Sequence, residues 1–277
     1  MSSIRITVLV DNNSAEGLSK EHGLSLWIEA EGKKIVFDTG QGDAFADNTK
    51  KLNINLSDTD FLVISHGHYD HTGGIPLALE KSSKAIVCCH TNVTAKRFNV
   101  LNKNARSLQM PQISIDAISN LPPERIKFST APLFLGDNIG ITGTIPRKTD
   151  FEDTGGPFFK DRDGETADLI EDDLAMWLKT PEGLIVCTGC CHSGLINTLD
   201  YIRALSGENR LRAVIGGFHL LNADDNRISK TLGALKRMNP LLLAPCHCTG
   251  DNIISELKKH FGSKVVKQTF AGLALVF

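Results

Sequence analysis

The sequence predicts an α/β protein, in which β-strands are covered by helices. Three observations favour this class. Short, continuous apolar runs recur along the chain, which is typical of strands buried on both faces. Stretches with helical spacing lie between these runs. Of the 277 residues, 41% are hydrophobic and 22% are charged, which is the composition of a globular protein and not of a disordered chain.

Five of the apolar runs end in a small cluster of Gly, Asp, His or Cys residues. These runs are residues 34–37, 61–64, 184–187, 212–215 and 241–244. Ligands in such sheets collect beyond the strand ends, because loops there can present side chains while the sheet stays rigid. We therefore expect the five strand ends to contribute to one shared site.

Four helices and two strand pairs are predicted around these runs. The helices cover residues 74–81, 193–205, 224–238 and 251–260. Thr249 or Asp251 is expected to cap the last of them. The strand pairs are 22–30 with 33–37, turning at 31–32, and 173–179 with 184–188, turning at 181–183.

The least regular region runs from about residue 91 to residue 166, and we predict it as a substrate-side insertion in a single domain spanning 1–277. Its most polar part is 146–166. A loop of this length in a compact domain is usually functional or mobile. Arg147 and Lys148 could bind a phosphate or carboxylate of a substrate, and Phe158 could cover a ring. A mobile surface loop of mixed charge is the alternative.

Charge and hydropathy argue against several partners. The formal net charge of −2 gives no electrostatic reason to expect nucleic acid or an anionic membrane as a partner. The N-terminal apolar run is too short for the core of a signal peptide, and no stretch reaches the length needed to span a bilayer. We therefore expect a cytoplasmic protein that binds a small-molecule substrate. The sequence does not predict its oligomeric state.

The seven cysteines are expected to be reduced. An odd count, two adjacent pairs and the short N-terminal run argue against a disulfide framework. A separate structural zinc site could be imagined from Cys187, Cys190, Cys246 and Cys248. We disfavour it because Cys187 lies within an apolar strand, where a buried thiol commonly acts as a small hydrophobic group.

The motif His66-x-His68-x-Asp70-His71 is the strongest functional signal in the chain. In extended backbone, side chains two residues apart lie on the same side, so His66 and His68 can hold one metal ion together. Asp70 and His71 follow where the chain turns, and they can face a second ion. Imidazole and carboxylate ligands suit zinc, manganese or iron. We predict one or two divalent ions, with zinc favoured. The alternative, a polar surface loop in which these residues occur by chance, explains four ligand-type residues within six positions poorly.

Residues 65–74, Ser-His-Gly-His-Tyr-Asp-His-Thr-Gly-Gly, resemble the signature of the metallo-β-lactamase superfamily. Asp38, in the segment 37–40, matches that superfamily's upstream Asp motif. Three later segments resemble the branch around dihydropterin–ribofuranosylaminobenzene phosphate synthase. They are residues 188–194, 216–220 and 245–250. The resemblance extends over nearly the whole chain.

This resemblance implies an αββα sandwich with one or two metal ions (a binuclear site when both are bound) at one edge of its two sheets. It implies that Asp38 orients a ligand histidine. The ligands carried over by position are His66, His68, Asp70, His71 and His247. The chain departs from many hydrolases of the superfamily, which have Thr-Gly-Asp where this sequence has Thr-Gly-Cys at 188–190. Either Cys190 or His192 must replace that bridging carboxylate, and the resemblance favours His192.

Other polar residues have two interpretations each. His219 either lines the substrate pocket as a catalytic group or is a hydrogen-bonded loop histidine. The acidic run at 171–173 is either a solvated turn or the source of a carboxylate that orients a ligand such as His192. For His22, His90 and His260 we favour structural or incidental roles.

The favoured function is a metal-dependent enzyme that acts on a small molecule. In a hydrolase, metal-activated water would attack a carbonyl or phosphoryl centre while Asp70 handles the proton. In a pterin-related synthase, the metals would position a phosphate-bearing substrate. The alternative is a non-catalytic metal or ligand sensor on the same fold. A diiron redox module is disfavoured, because those relatives usually place Glu where this chain has His68, and a nuclease is disfavoured by the charge balance.

Overall fold

The computed structural model describes residues 3–277. Within this range the strands, in chain order, are β1 (Arg5–Val10), β2 (Ser25–Ala30), β3 (Lys33–Phe37), β4 (Phe61–Val63), β5 (Ile86–Cys89), β6 (Phe98–Leu101), β7 (Asn104–Ser107), β8 (Ile126–Phe128), β9 (Leu133–Phe134), β10 (Ile139–Ile141), β11 (Phe158–Phe159), β12 (Ala175–Thr180), β13 (Gly183–Thr188), β14 (Leu211–Gly217), β15 (Leu243–Cys246) and β16 (Ala274–Val276). The α-helices are α1 (Asp43–Lys51), α2 (Tyr69–Thr72), α3 (Ile75–Lys81), α4 (Gln112–Ser119), α5 (Leu195–Ser206), α6 (Asp225–Met238) and α7 (Asp251–Phe261).

The chain divides into two compact units. Unit 1 contains the described residues up to Arg97, together with Ser107–Phe128 and Thr269–Phe277. Unit 2 contains Phe98–Arg106 and Ser129–Gln268. The expectation of one domain over 1–277 stays a prediction.

Unit 1 is built on a seven-stranded sheet in the order β16-β1-β2-β3-β4-β5-β8. Strands β3, β4, β5 and β8 are parallel neighbours, whereas β1 pairs antiparallel with both β2 and β16. The predicted hairpin of β2 and β3 is present. Its turn residues Glu31 and Gly32 have φ values of 52° and 71°, which suits the two-residue turns that favour hairpins.

The core of unit 1 lies between this sheet and its helices. Val36 and Leu62 from the sheet pack with Phe45 of α1 and Ile75 of α3, and all four are fully buried. Burying side chains of this size contributes roughly 1.5–3 kcal/mol each relative to exposure. Helix α1 was not predicted from the sequence, because its segment is largely polar and presents only Ala44 and Phe45 as apolar residues to the core.

Unit 2 is built on a six-stranded sheet in the order β15-β14-β13-β12-β10-β9. Strands β13, β14 and β15 are parallel, and β12 and β13 form the second predicted hairpin. Helices α5, α6 and α7 lie within two residues of the predicted ranges and bury Leu199, Leu235 and Leu257.

The predicted cap of α7 is wrong. The residue before the helix is Gly250, and no side chain caps it. Thr249 instead accepts a hydrogen bond from the backbone N–H of Phe218 at 3.0 Å, which ties the end of β14 to the segment after β15. A capping side chain is present at α6, where Asp224 accepts from the N–H of Arg227.

The region 91–166 contains several short elements, from β6 to β11. Within its polar part, 146–166, the structure forms only β11, which pairs antiparallel with β6. Across residues 3–277, no helix combines the length and apolarity required to cross a membrane.

Candidate functional site

In unit 1 the candidate ligands follow two neighbouring parallel strands. Asp38 comes directly after β3, and His66 and His68 come shortly after β4. Asp70 and His71 lie on the short helix α2. Because the carboxyl ends of parallel neighbours meet at one edge of a sheet, these residues come together from positions about 30 apart in the chain.

Gly67 is required by the close approach of the backbone. A Cβ atom there would lie 1.8 Å from the carbonyl oxygen of Val93, so no other residue fits without movement. This glycine allows the chain between His66 and His68 to run directly against the segment after β5.

The imidazoles of His66 and His68 face each other as two ligands of one ion would. Nε2 of His66 and Nδ1 of His68 are 3.0 Å apart, and both side chains are buried. Nitrogen ligands that share a zinc ion at about 2.0–2.1 Å must lie about 3 Å from each other. The ring of His71 lies beside them, with its centroid 4.3 Å from that of His66.

A single buried carboxylate organises two of these histidines. Asp38 accepts hydrogen bonds from the Ser65 N–H at 2.7 Å, from the Ser65 hydroxyl at 2.6 Å and from His71 Nδ1 at 2.7 Å. The hydroxyl has one proton, which it donates to Asp38, so its oxygen accepts from Nδ1 of His66 at 2.9 Å. Both His66 and His71 therefore have the proton on Nδ1, which makes Nε2 the lone-pair nitrogen of each ring, as in a metal-ligating histidine.

Asp70 lies next to a histidine that the sequence analysis treated as incidental. Its Oδ2 is 3.2 Å from Nε2 of His22 and 3.9 Å from Nε2 of His71. The side chain of His22 is 54% exposed, whereas that of Asp70 is 8% exposed. His22 precedes β2 and belongs to no recognisable motif, so only the folded chain identifies it.

In unit 2 the candidate ligands follow three parallel strands. Cys190 and His192 come after β13, His219 after β14, and His247 and Cys248 after β15. Two sets have one ligand atom from each residue within 4.8 Å of the others: Cys190 with His192 and His219, and Cys190 with His247 and Cys248. Both residues named for the missing carboxylate, Cys190 and His192, are thus in one cluster.

His192 is oriented by the loop 146–166. Its Nδ1 donates to the carbonyl oxygen of Thr154 at 2.8 Å, which leaves Nε2 as the lone-pair nitrogen. The ring centroid of Phe158 lies 5.2 Å from that of His192 and 6.0 Å from that of His219. A Cβ at Gly155 would lie 1.9 Å from Cδ2 of His219, so the loop packs directly against both imidazoles.

Further contacts hold the same loop against unit 2. Arg147 donates to the carbonyl oxygens of His192 at 2.7 Å and Leu169 at 2.5 Å. Glu152 accepts from the N–H groups of Ile196 and Asn197 at 2.8 and 2.9 Å, in the first turn of α5. These contacts hold part of the loop 146–166 against unit 2, which favours a functional over a mobile surface loop.

The residues predicted to bind substrate have different surroundings. The guanidinium of Arg147 bonds to two backbone carbonyls, and burial lowers its pKa, so the structure shows it supporting the His192 backbone. Lys148 is exposed, and Phe158 lies at the imidazoles. A contact between any of the three and a substrate stays a prediction.

The solvated-turn interpretation of the acidic run is wrong for two of its three residues. Glu171 is exposed, but Asp172 and Asp173 are buried. Burial raises the pKa of Asp173 to about 6, and its Oδ2 accepts from the N–H of Ser193 at 2.7 Å. Asp173 therefore positions the backbone beside His192.

The cysteines differ in the ease with which they form thiolates. Burial raises the pKa values of Cys88 and Cys187 to about 12, and it raises that of Cys191 well above the usual value. Burial also acts to raise the pKa of Cys248, but its hydrogen bond with Cys190 and the nearby imidazoles hold it well below the usual value. Cys187 is thus a buried hydrophobic group, as the sequence analysis expects.

Comparisons with known proteins agree with this geometry. The family model of the metallo-beta-lactamase superfamily matches residues 19–200. A relative from Methanocaldococcus jannaschii, named 7,8-dihydropterin-6-methyl-4-(beta-D-ribofuranosyl)-aminobenzene-5'-phosphate synthase, is 32% identical over 265 residues, covering 89% of this chain and 90% of the relative.

Two solved structures extend the comparison to the fold. One is described as Tm1679, a metal-dependent hydrolase of the beta-lactamase superfamily; it is 31% identical, covers 98% of both chains and gives a TM-score of 0.83. The other is the metallo-beta-lactamase fold protein YhfI from Bacillus subtilis, with 12% identity, full coverage of both chains and a TM-score of 0.61, which shows the fold alone.

Together these findings define a mixed α/β protein with grouped His, Asp and Cys ligands, of the class that binds divalent metal ions. The chain belongs to the metallo-beta-lactamase superfamily. The fold class predicted from the sequence is thereby confirmed, and so is the resemblance to the branch of the dihydropterin-related synthase.

Proposed function

We propose that this protein is a divalent-metal-dependent enzyme that acts on a small, phosphate-bearing molecule. The observation that carries the proposal is the hydrogen-bond network of Asp38 and Ser65. This network engages Nδ1 of His66 and Nδ1 of His71, so that Nε2 is the lone-pair nitrogen of each ring. A ligand histidine has such a fixed tautomer, because it donates its other ring N–H to a carboxylate, a carbonyl or another fixed acceptor.

The donor set fits a divalent ion of the zinc group. The proposed ligands are His66, His68, Asp70, His71, His192 and His247, for one or two ions. Ring nitrogens of His66 and His68 lie 3.0 Å apart, close to the spacing of two imidazole ligands of one ion, and the Nδ1 of His192 is hydrogen-bonded as in a ligand histidine. The inclusion of His192 and His247 rests on the resemblance of the later motifs.

A divalent ion held by these residues would supply Lewis-acid activation of water or of a carbonyl or phosphoryl oxygen. The protein's own groups would do the rest. Asp70 can hold a proton close to the reacting atoms, and His22, 3.2 Å from it and half exposed, connects this carboxylate to solvent. His219 and the ring of Phe158 would contact the substrate.

Two relatives support the phosphate-bearing substrate and the enzyme class, respectively. The name of the Methanocaldococcus jannaschii relative specifies a synthase of a ribofuranosyl phosphate of a dihydropterin, and that of Tm1679 specifies a metal-dependent hydrolase. The proposed site could serve either reaction, by activating water in a hydrolase or by positioning a phosphate in a synthase. We infer a pterin-type or phosphoester substrate before a plain carboxylic ester.

The test combines metal analysis with a substrate screen. The purified full chain should contain about one or two equivalents of zinc, manganese or iron, which His68→Ala should lose together with turnover. His260→Ala is the matched control, because His260 is an exposed histidine on α7. Failure to bind any of these ions would overturn the proposal. Tight binding without turnover of pterin phosphates, phosphodiesters, thioesters or lactones would favour the sensor.

A further inference from the structure

Unit 2 contains a sulfur-rich group that the histidine motif does not explain. The Sγ atoms of Cys190 and Cys248 and a ring nitrogen of His247 all lie within 4.8 Å of one another. The three residues are 2%, 7% and 7% exposed, respectively. Ligands of a tetrahedral ion with metal–sulfur distances of about 2.3 Å and metal–nitrogen distances of about 2.0–2.1 Å must fit within such a spacing.

The backbone is shaped to bring the two thiols together. A Cβ at Gly217 would lie 2.6 Å from Sγ of Cys248 and 3.4 Å from Cα of Cys190, so the glycine leaves the space that the thiol occupies. Sγ of Cys248 lies 3.7 Å from the carbonyl oxygen of Cys190. The turn is fixed by the hydrogen bond from Phe218 to Thr249, and His247 has a positive φ of 48°.

The other thiols of the chain lack these features. Cys187 lies within β13, and Cys88 and Cys89 lie within β5, all buried in strands. Cys246 is the last residue of β15, two positions from Cys248, and it belongs to no group of convergent ligands among residues 3–277. Thus, among these cysteines, Cys190 and Cys248 are the pair that converges with His247 as ligands for a metal ion would.

We propose that Cys190, Cys248 and His247 bind one metal ion through two thiolates and one imidazole. Thiolate sulfur selects zinc, Fe(II) or Cu(I), whereas manganese and magnesium prefer oxygen ligands. The protein should therefore take zinc or iron at this position and reject manganese. A ligating thiol that is protonated before the ion binds gives up its proton to solvent on binding.

This inference deepens the proposed function, because His247 belongs to the proposed ligand set of the enzyme. It changes the chemistry of that set. Where many related hydrolases have a bridging Asp, this protein would use the thiolates of Cys190, after β13, and Cys248, after β15. The two proposals can fail separately. A protein that binds metal through histidines alone would retain the proposed function and lose this inference, and a protein that binds no metal would lose both.

The experiment is a cobalt titration of the reduced full chain. Co(II) bound by thiolates gives a near-ultraviolet sulfur-to-metal charge-transfer absorption that imidazole and carboxylate ligands do not give. We expect this absorption in the wild-type protein, a loss of about half of it in Cys190→Ser or Cys248→Ser, and a complete loss in the double variant. Cys246→Ser, a buried neighbouring thiol, should leave it unchanged.

A second measurement does not depend on variants that fold. X-ray absorption of the zinc-loaded wild-type protein should show sulfur neighbours of zinc at about 2.3 Å, alongside nitrogen at about 2.0–2.1 Å. Zinc surrounded by nitrogen and oxygen alone would overturn the inference, as would cobalt binding without the charge-transfer absorption. A Cys190–Cys248 disulfide that persists under reducing conditions would also overturn it.

Discussion

Asp38 shows how one residue can determine the protonation of two others. Its buried carboxylate binds Ser65 and His71 directly and acts on His66 through the single hydroxyl proton of Ser65. The sequence predicted that Asp38 orients a histidine, because the motif at 37–40 resembles that of the superfamily. It could not predict the role of Ser65, which depends on the 2.6 Å contact made across parallel strands.

Replacing this carboxylate should weaken metal binding. Asp38→Asn keeps the side-chain shape but can no longer accept at both oxygens, so the tautomers of His66 and His71 are no longer fixed. We expect about a 10–100-fold loss of zinc affinity, measured by competition with a chelator. Asp200→Asn, an exposed carboxylate on α5, is the control. Equal affinities in the two variants would contradict the role of Asp38.

Asp173 should make the protein less stable as the pH rises. Because burial raises its folded-state pKa to about 6, the folded protein binds more protons than the unfolded chain between about pH 4 and pH 6. Its contribution to stability is therefore best below about pH 4 and is lost as the pH rises through 6, by at most about 3 kcal/mol.

The measurement is the free energy of unfolding in urea at pH 4.5 and pH 7.5, for the wild type and for Asp173→Asn. The asparagine can still accept from Ser193 but does not titrate. Stability of the variant relative to the wild type should rise between the two pH values. A constant difference would show that Asp173 does not titrate in this range.

At the scale of elements, the loop 146–166 is held by hydrogen bonds to residues that are distant in the sequence, and no local pattern predicts these bonds. Glu152 accepts hydrogen bonds from α5 across more than 40 positions of sequence, and Thr154 accepts from His192 across 38. Regular elements were easier to predict, because α6 and the hairpins have their own periodicity, caps and turn residues. The loop has turn residues such as Gly155 and Gly164 but no periodic pattern, so its contacts with α5 and His192 could not be predicted from the sequence.

Glu152 should stabilise the loop and α5 together. Glu152→Gln retains one acceptor but removes the negative charge at the helix N-terminus, and Glu152→Ala removes both. We expect losses of about 0.5 kcal/mol and about 1–2 kcal/mol, respectively, in thermal unfolding. Glu165→Ala, an exposed residue of the same loop, is the comparison. If it destabilises the protein as much as Glu152→Ala, the contact with α5 is not the cause.

Gly67 offers a test of the chain path beside His66. Gly67→Ala places a Cβ against the Val93 carbonyl, and we expect a loss of about 1–3 kcal/mol with weakened zinc binding. Gly233→Ala is the matched change within α6, where the nearest atom is the flexible Arg237 guanidinium at 3.7 Å. That substitution should stabilise by about 0.5–1 kcal/mol. The free energy of unfolding in urea should fall for Gly67→Ala and rise for Gly233→Ala. This difference in sign would show that the effect at Gly67 is steric and not a general effect of alanine.

At the scale of the whole molecule, the candidate ligands share one rule of position. Four of the five strand ends predicted from the sequence carry them, the fifth carries Asp38, which orients two of them, and in each sheet the strands concerned are parallel neighbours. The superfamily resemblance supplied the fold and the histidine motif. The nearness of Cys190 and Cys248 was not predictable, because it depends on the register of β13, β14 and β15 and on the space left at Gly217.

Metal binding should be visible in the stability of the entire chain. An ion that binds only the folded state raises the free energy of unfolding by about 4 kcal/mol when its free concentration is a thousandfold above Kd. A chelator should therefore lower Tm, and zinc should restore it. Magnesium is the control ion. An unchanged Tm on chelation of protein known to contain zinc would contradict the coupling of the site to folding.

The pairing of β16 with β1 has a consequence for how the chain is made. Arg5 lies opposite Val276, and all of unit 2 comes between them in the sequence. During synthesis, the N–H and C=O groups on one edge of β1 therefore have no strand partner until β16, which begins at residue 274, has been made. An open edge of this kind can recruit strands of other chains. Until β16 is synthesised, this edge of the sheet is therefore a place where growing chains of this protein can pair with one another.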